Sequence, residues 1–422
     1  MLALETPARD TSPQNGAGLC VACGLCLPHC PTYRIALSEA ESPRGRIALM
    51  RGLATGELAP DRGLTDHLDH CLGCRACERI CPSAVPYGQL IDTARAQLAG
   101  NRRRRPARSA LRAITLFALV HRRARRLLGL LLRLHVATGL QKLLRARWLP
   151  GRGALARIDA TLDRPPRTAR WNEVYPSTGP TPRGQLALFT GCATDLFEGE
   201  VLADGVRVLN RLGYTVHVPP TQTCCGALHW HGGRRAQAGR LMSANVTAFD
   251  DPRCEAIVSC ASGCSAMLAE YGRCLPGGEV LATRTRDISR FLDTREWPSS
   301  MKIRPLAARI AVHDACLLRN ALRGEQAPYR LLRRIPGATV VPLADNHICC
   351  GAGGTHFLDH PEIANALRAE KIRHVRALAP DFLVTTNTGC ALHLRAGLRD
   401  AGLNIEVLHP VTLLARQLEA ST

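Results

Sequence analysis

The sequence predicts an α+β multidomain chain, with a mostly helical, cysteine-rich N-terminal domain followed by a duplicated α/β cysteine-rich domain. Three observations predict it. The 19 cysteines fall in tight groups rather than scattered along the chain. The first two groups share one spacing and flank a stretch of helical character. Beyond residue 185, short β runs alternate with helical runs, and that alternation occurs twice in the same order.

Length and composition set the bounds. The chain has 422 residues, room for two or three domains. A hydrophobic content of 46% is enough to build cores and excludes a disordered polymer. Aromatics are only 4%, which argues against a protein that stacks nucleic-acid bases on aromatic platforms. The formal charge of +20 is local. Between Thr93 and Ile158 there are 17 Lys and Arg and no Asp or Glu, so the rest of the chain is near neutral.

Met1–Asp10 has neither a basic n-region nor an apolar h-region, so no signal peptide is expected. No apolar run approaches the ~18 residues that would suggest a membrane span. Clustered cysteines in a long chain of this kind point to metal ligation in a reducing cytosol, not to a disulfide framework.

Four segments are expected: residues 1–100 as a metal-binding domain, 101–184 as a basic helical segment and linker, and 185–300 and 301–422 as two α/β repeats. Residues 1–16 read as a polar tail. Arg102–Trp148 is basic and Leu-rich, and the Pro, Arg and Thr-rich run Asp163–Arg183 reads as a linker.

The first motif is Cys20-x2-Cys23-x2-Cys26-x3-Cys30-Pro31, and the second is Cys71-x2-Cys74-x2-Cys77-x3-Cys81-Pro82. Three thiolates two residues apart can wrap one cubane from a single loop, while the fourth Cys of each run ligates the other cluster. One [4Fe–4S] cluster would use Cys20, Cys23, Cys26 and Cys81. The other would use Cys71, Cys74, Cys77 and Cys30. Zinc needs only a pair of Cys-x2-Cys units and does not account for two complete four-cysteine runs that together make an eight-cysteine pattern. About forty residues separate Cys30 from Cys71, and Pro43–Thr55 looks helical. A helical form of dicluster ferredoxin domain is therefore expected.

In the C-terminal region the strand signals are Leu186–Thr190, Tyr214–Val218, Ala256–Ser259, Arg309–His313, Ala338–Val341 and Phe382–Thr386. Each ends near a cysteine. The landmarks Cys192, Cys224 and Cys264 return as Cys316, Cys349 and Cys390, at offsets of 124, 125 and 126 residues. An internal duplication follows.

Ligands gather at the carboxyl ends of strands in open α/β sheets. Cys192, Cys224, Cys225 and Cys264, with Cys260 as a fifth, form one candidate site. Cys316, Cys349, Cys350 and Cys390 form another. The counterpart of Cys260 is Thr386, so the sites are not equivalent. Structural thiols, redox-active thiols or vestiges of duplication are the competing readings. The Gly of each Cys-Cys-Gly is expected to give the close backbone approach that a cluster needs. Cys254 and Cys274 read as buried apolar residues, and His229, His231 and His356 as packing residues or as groups that tune a cluster.

These motifs, with Pro43-Arg44-Gly45-Arg46-Ile47 and Cys81-Pro82-Ser83-Ala84-Val85-Pro86-Tyr87, resemble the iron–sulfur subunits of bacterial glycolate oxidase (glycolate dehydrogenase) from about Cys20 onward. Lactate-utilisation proteins, the anaerobic glycerol-3-phosphate dehydrogenase subunit and heterodisulfide reductases share the Cys-rich repeat. The resemblance implies an electron-transfer subunit with two [4Fe–4S] clusters and one or two further iron–sulfur clusters, with no flavin in this chain. It implies FAD-binding partner subunits that oxidise glycolate to glyoxylate, and a quinone-type acceptor at the membrane. No nucleic-acid partner is expected. The alternating Arg and Leu of Arg102–Trp148 suggest peripheral attachment to the inner face of the cytoplasmic membrane, or packing of those leucines on the repeats.

Overall fold

The computed structural model describes residues 13–100, 106–138, 159, 162 and 170–419. Residues 1–12 of the expected tail, Arg102–Arg105 and residues 139–148 lie outside the described residues.

From residue 13 to residue 100 the described regular structure is helical, with long helices at Pro43–Thr55, Arg62–Asp69 and Tyr87–Gln97. Ile47, Met50, Leu68, Tyr87, Leu90 and Ile91 form its core, and Cys20, Cys71, Cys77 and Cys81 pack on that core from the side. The local sequence explains the first long helix. Pro43 takes its opening position, where a missing N–H costs nothing. The Ser42 hydroxyl caps it by accepting from Gly45 N at 2.9 Å. Gly45 has no alternative residue, because a Cβ there would lie 1.9 Å from the Glu39 carbonyl oxygen.

The C-terminal region holds two sheets. In the first, β1 (Val174–Tyr175), β2 (Gly184–Phe189), β3 (Tyr214–His217), β4 (Cys254–Ser259) and β5 (Thr285–Asp287) lie in the order β1-β3-β2-β4-β5. In the second, β6 (Arg309–His313), β7 (Thr339–Pro342), β8 (Phe382–Thr385) and β9 (Glu406–Leu408) lie in the order β7-β6-β8-β9. Without the antiparallel edge strand β1, the two orders coincide and every pairing is parallel. That is the duplication the cysteine offsets predict.

The repeats share one core. Leu186, Leu188, Val216 and Val258 of the first pack in the same cluster as Ile310, Val312, Leu413 and Leu414 of the second. The strands β5 and β9 are too short, at three residues each, to show as β runs in the sequence. The run read as a linker is partly docked. Tyr175 pairs with Val216, and the Trp171 indole donates to Asp195 at 2.8 Å.

The basic segment forms a helical hairpin, Pro106–Val120 and Arg122–Ala137. One side is buried: Leu119, Val120 and Leu128 join the core of the first repeat, and Arg125 pairs with Asp195 at 2.9 Å. The other side leaves Ile114, Phe117, Leu127, Leu130, Leu131 and Leu134 in solvent, each more than half exposed. The reading that these leucines pack on the repeats holds for the buried side, and the other side is left in solvent. Among the described residues no helix is long and apolar enough to cross a membrane.

Gly45→Ala is expected to cost about 1–3 kcal/mol through overpacking against the Glu39 carbonyl. It should lower the denaturant midpoint at which the N-terminal domain loses its charge-transfer absorbance. Gly63→Ala in the neighbouring helix meets only the Asp61 side chain, at 3.6 Å, and should stay at or slightly above wild type.

Candidate metal centres

Both N-terminal cysteine loops follow the same backbone path. The chain enters the left-handed region at Ala22 and Gly24 in the first loop, and at Gly73 and Arg75 in the second. These are matched positions, between the first and second and the second and third cysteines. Arg75 tolerates φ of 59° because its side chain is held on both sides. Its guanidinium bonds Glu78 at 2.7 and 2.9 Å and also reaches Glu270 of the first repeat.

The second loop gathers four thiols. Burial pushes Cys77 well above its ordinary range, and the neighbouring Cys74, Cys71 and Cys30 push it further, followed by Cys26 of the first loop. The first three, with Cys77, are the group predicted for one cluster, and Cys26 belongs to the other. Of the other group, Cys20 lies close to Cys26, whose thiol burial raises to about 11. Cys23 is exposed at the surface, and Cys81 closes the helix Ala76–Ile80. Arg44 ties the first loop down by donating to Ala22 O at 3.0 Å while holding Glu39 at 2.7 and 3.1 Å.

In the Cys-rich repeats the strand ends deliver the predicted sets. Cys192 follows β2, Cys224 and Cys225 follow β3, and Cys264 lies on the helix after β4. Their thiols touch in series: Cys192 and Cys224 are 3.3 Å apart, Cys224 contacts Cys225, and Cys225 contacts Cys264. The second repeat repeats the series through Cys316, Cys349, Cys350 and Cys390. The contact with Cys224, together with burial, pushes Cys192 well up; the contact with Cys349 and burial do the same to Cys316.

Cys260 does not join the first set. Its side chain lies with Ala256 and Val258 in the core shared by the two repeats, on the opposite face from the core that holds Cys192, Cys224 and Cys225. Strand alternation is the reason, since residues two apart point the same way. Its nearest charged neighbours are Asp287, Asp204 and Glu198, with no thiol among them. Thr386, its counterpart, has become an inter-repeat contact, with its hydroxyl 2.6 Å from that of Ser262. The glycine of each Cys-Cys-Gly also serves differently from expectation. Gly351 takes φ of 94° and presses against a helix, where a Cβ would lie 2.6 Å from Ala364 O.

His231 and His356 are domain contacts. The first bonds Asp92 at 2.9 Å, and the second donates to His70 O at 3.0 Å. His229 and Cys254 are buried, and Cys274 is half-buried in the first repeat's core.

The residues present fit iron–sulfur centres. Four thiols converge at each strand-end site, three buried and one, Cys264 or Cys316, half-buried. At the second site Lys371 is 1% exposed, donates only to Asp345 O at 2.5 Å, and makes no ion pair among the described residues. Its burial lowers its affinity for a proton, while Cys350 and Cys349 and, after them, the carboxylates of Asp345 and Glu370 raise it. A buried ammonium with no carboxylate in direct contact is favoured by anionic groups nearby. Thiolates carrying a metal would add to that charge. Sequence inspection passed over Lys371 because nothing distinguishes it from a surface lysine on the helix Pro361–Leu378. Only its spacing of four after the buried Leu367 hints at an inward face.

Comparison with known proteins agrees with this geometry. Residues 16–85 match a 4Fe-4S dicluster domain, and residues 186–269 and 310–395 each match a Cysteine-rich domain. A probable glycolate oxidase iron-sulfur subunit of Bacillus subtilis (strain 168) is 32% identical over 94% of this chain and 92% of its own. The glycolate oxidase iron-sulfur subunit of Escherichia coli (strain K12) is 31% identical over 99% of this chain and 100% of its own. The chain belongs to the family of glycolate oxidase iron–sulfur subunits. Lactate utilization protein A of Geobacillus kaustophilus (strain HTA426) is 32% identical, over 54% of this chain and 98% of its own. Within that family, the chain is an α+β protein with one dicluster domain and two cysteine-rich domains.

Two substitutions separate the thiols by role. Cys260→Ala should leave the iron content of anaerobically purified protein unchanged, whereas Cys264→Ala should lower it. Lys371→Met should reduce iron retained after gel filtration and move the midpoint potential of the second-repeat centre downward, because a positive charge beside an anionic centre favours its reduced form.

Proposed function

We propose that this chain carries electrons from a partner flavoprotein, which oxidises glycolate to glyoxylate, toward a quinone-type acceptor at the membrane. The observation that carries the reading is the register-matched pair of cysteine loops in one chain with two further four-thiol sites, the second loop packing against one of them. Cys20, Cys23, Cys26 and Cys81 hold one cubane, and Cys30, Cys71, Cys74 and Cys77 hold the other. Each Cys-rich set holds a further iron–sulfur centre. The flavin belongs to the partner, which takes two electrons and a proton from the C–H carbon of glycolate while the hydroxyl proton passes to a base or to water. The chain's centres then accept those electrons one at a time. A lactate-oxidising complex is the second reading. The lactate relatives align with little more than half of the chain, which favours glycolate.

The exposed rim of the first loop suits the donor. Val21, Leu25 and Ile80 stand in solvent around a surface depression that includes the exposed Cys23 and Arg44. At the other end, the exposed apolar stripe of the hairpin suits the membrane interface. Leu127, Leu130, Leu131 and Leu134 follow helical spacing, and Arg122, Arg123, Arg126 and Arg133 flank them. Each arginine near an anionic surface contributes ~1 kcal/mol. Burying a leucine fully contributes about 2 kcal/mol, so the stripe matters at least as much as the charge.

The chain purified anaerobically should carry at least about eight irons and show no glycolate oxidation alone. Activity should appear when the flavoprotein subunits are added. Cys74→Ser should remove one cubane and depress that activity. Turnover by the isolated, flavin-free chain would contradict the assignment, as would zinc in place of iron.

For attachment, the intact complex should float with liposomes containing anionic lipid at low salt and float less at high salt. Leu130→Asp with Leu131→Asp should abolish flotation at both. Flotation that is indifferent to anionic lipid would rule out the electrostatic contribution.

A further inference from the structure

The two Cys-rich sites are related by duplication, yet they sit differently against the ferredoxin domain. Leu72, Cys74 and Ala76 of the second cysteine loop share one buried cluster with Ile348, Cys349 and Leu367 of the second repeat, and Cys316 packs against it. The contact is specifically held. Asn320, buried on the helix Cys316–Asn320, donates to the Cys74 carbonyl at 2.8 Å. Arg79, one turn along from Cys74, binds Glu325 at 2.6 Å and also reaches the Arg319 carbonyl. Gly353 approaches so closely that a Cβ there would lie 2.7 Å from Leu72. The thiol of Cys74 feels Cys316, and that of Cys349 feels Cys74.

Among the described residues the first site shows no such contact. Its core holds Cys192, Cys224 and Cys225 with Leu119 of the hairpin and no residue of the described N-terminal domain. Where the first repeat does meet that domain, the contacts include His231 with Asp92, Glu270 with Arg75 and Gly233 against the Arg95 carbonyl, none of them a candidate ligand. Between the two sites, Asn387 forms a bridge. Its carbonyl oxygen accepts from Gly263 N at 3.1 Å, next to Cys264, and its amide donates to Cys390 at 3.5 Å.

We propose that electrons cross from the ferredoxin domain into the Cys-rich domain only through the contact of Cys74 with Cys316 and Cys349. The second repeat is then the port and the first repeat lies downstream of it, reached across Asn387. One electron leaves the centre held by Cys30, Cys71, Cys74 and Cys77, which is oxidised. The centre held by Cys316, Cys349, Cys350 and Cys390 gains it and is reduced, and the same exchange follows toward Cys264. The order runs from the exposed loop at Cys23, through Cys74 and the second repeat, to the first repeat beneath the hairpin. This rests on the proposal that both Cys-rich sets hold iron–sulfur centres.

The test uses the full chain purified anaerobically, with iron analysis and electron paramagnetic resonance on wild type, Cys390→Ala and Cys264→Ala. Coupling between the two ferredoxin centres is common to all three proteins and cancels in the comparison. Cys390→Ala should lose iron and remove the extra broadening of the reduced ferredoxin signal. Cys264→Ala should lose iron and keep that broadening. Broadening that disappears only in Cys264→Ala, or survives unchanged in both, overturns the route. Equal iron in all three proteins overturns the underlying cluster proposal, and the route with it, and iron analysis alone distinguishes that case.

Asn320→Ala keeps every ligand and guards against misfolding of the cysteine variants. It should retain full iron and slow reduction of the second-repeat centre several-fold in rapid-freeze experiments. An unchanged rate with full iron would refute the port.

Discussion

The N-terminal domain depends on one buried guanidinium. Arg46 is 1% exposed and reaches four places at once. It bonds Thr32 just after Cys30, both the main chain and the carboxylate of Glu41, and the carbonyl of His67 just before the second loop. Burial works against the charge on Glu41. Hydrogen bonds from His70 and His67 and the charge of Arg46 more than offset it and hold that carboxyl at about 2. Removing one member of such a network strands the others, at a cost of about 3–5 kcal/mol. In the proposed assignment each loop gives its fourth cysteine to the other centre, so neither centre can form unless both loops are held in register. Arg46 sets that register.

From this anchor the architecture reads outward. The second loop, fixed by Arg46 on one side and Arg75 on the other, presents Cys74 to the helix that begins at Cys316. The parallel sheets bring cysteines distant in sequence to one edge. Neighbouring strands end at the same side, so one residue from each of three loops suffices for a site. Duplication gives two such edges, and the shared core of Leu186, Val258, Ile310 and Leu413 makes them a single body.

Much of this was legible in the sequence because it depends on local spacing. The two four-cysteine runs, the repeat offsets and most strands are short-range patterns, and Arg309–His313 matches its expected bounds. What was not legible depends on direction and partners. Cys260 and Cys264 look alike as neighbours in a cysteine-rich stretch, but strand alternation sends Cys260 into the shared core. The Pro-Arg-Gly-Arg motif could be recognised, whereas the carbonyl that excludes a side chain at Gly45 comes from a turn with no sequence signature of its own. The hairpin leucines divide between burial and exposure according to a packing partner over fifty residues away.

Lys371 also ties two parts of the second repeat together. It lies buried on the helix Pro361–Leu378 and donates to the Asp345 carbonyl, a few residues ahead of Cys349 and Cys350. Burial disfavours its charge, while the two cysteines and the carboxylates of Asp345 and Glu370 favour it. The charge at the cysteine pair is therefore felt by a side chain that anchors the helix to the segment leading into that pair, so helix and segment respond to that charge together.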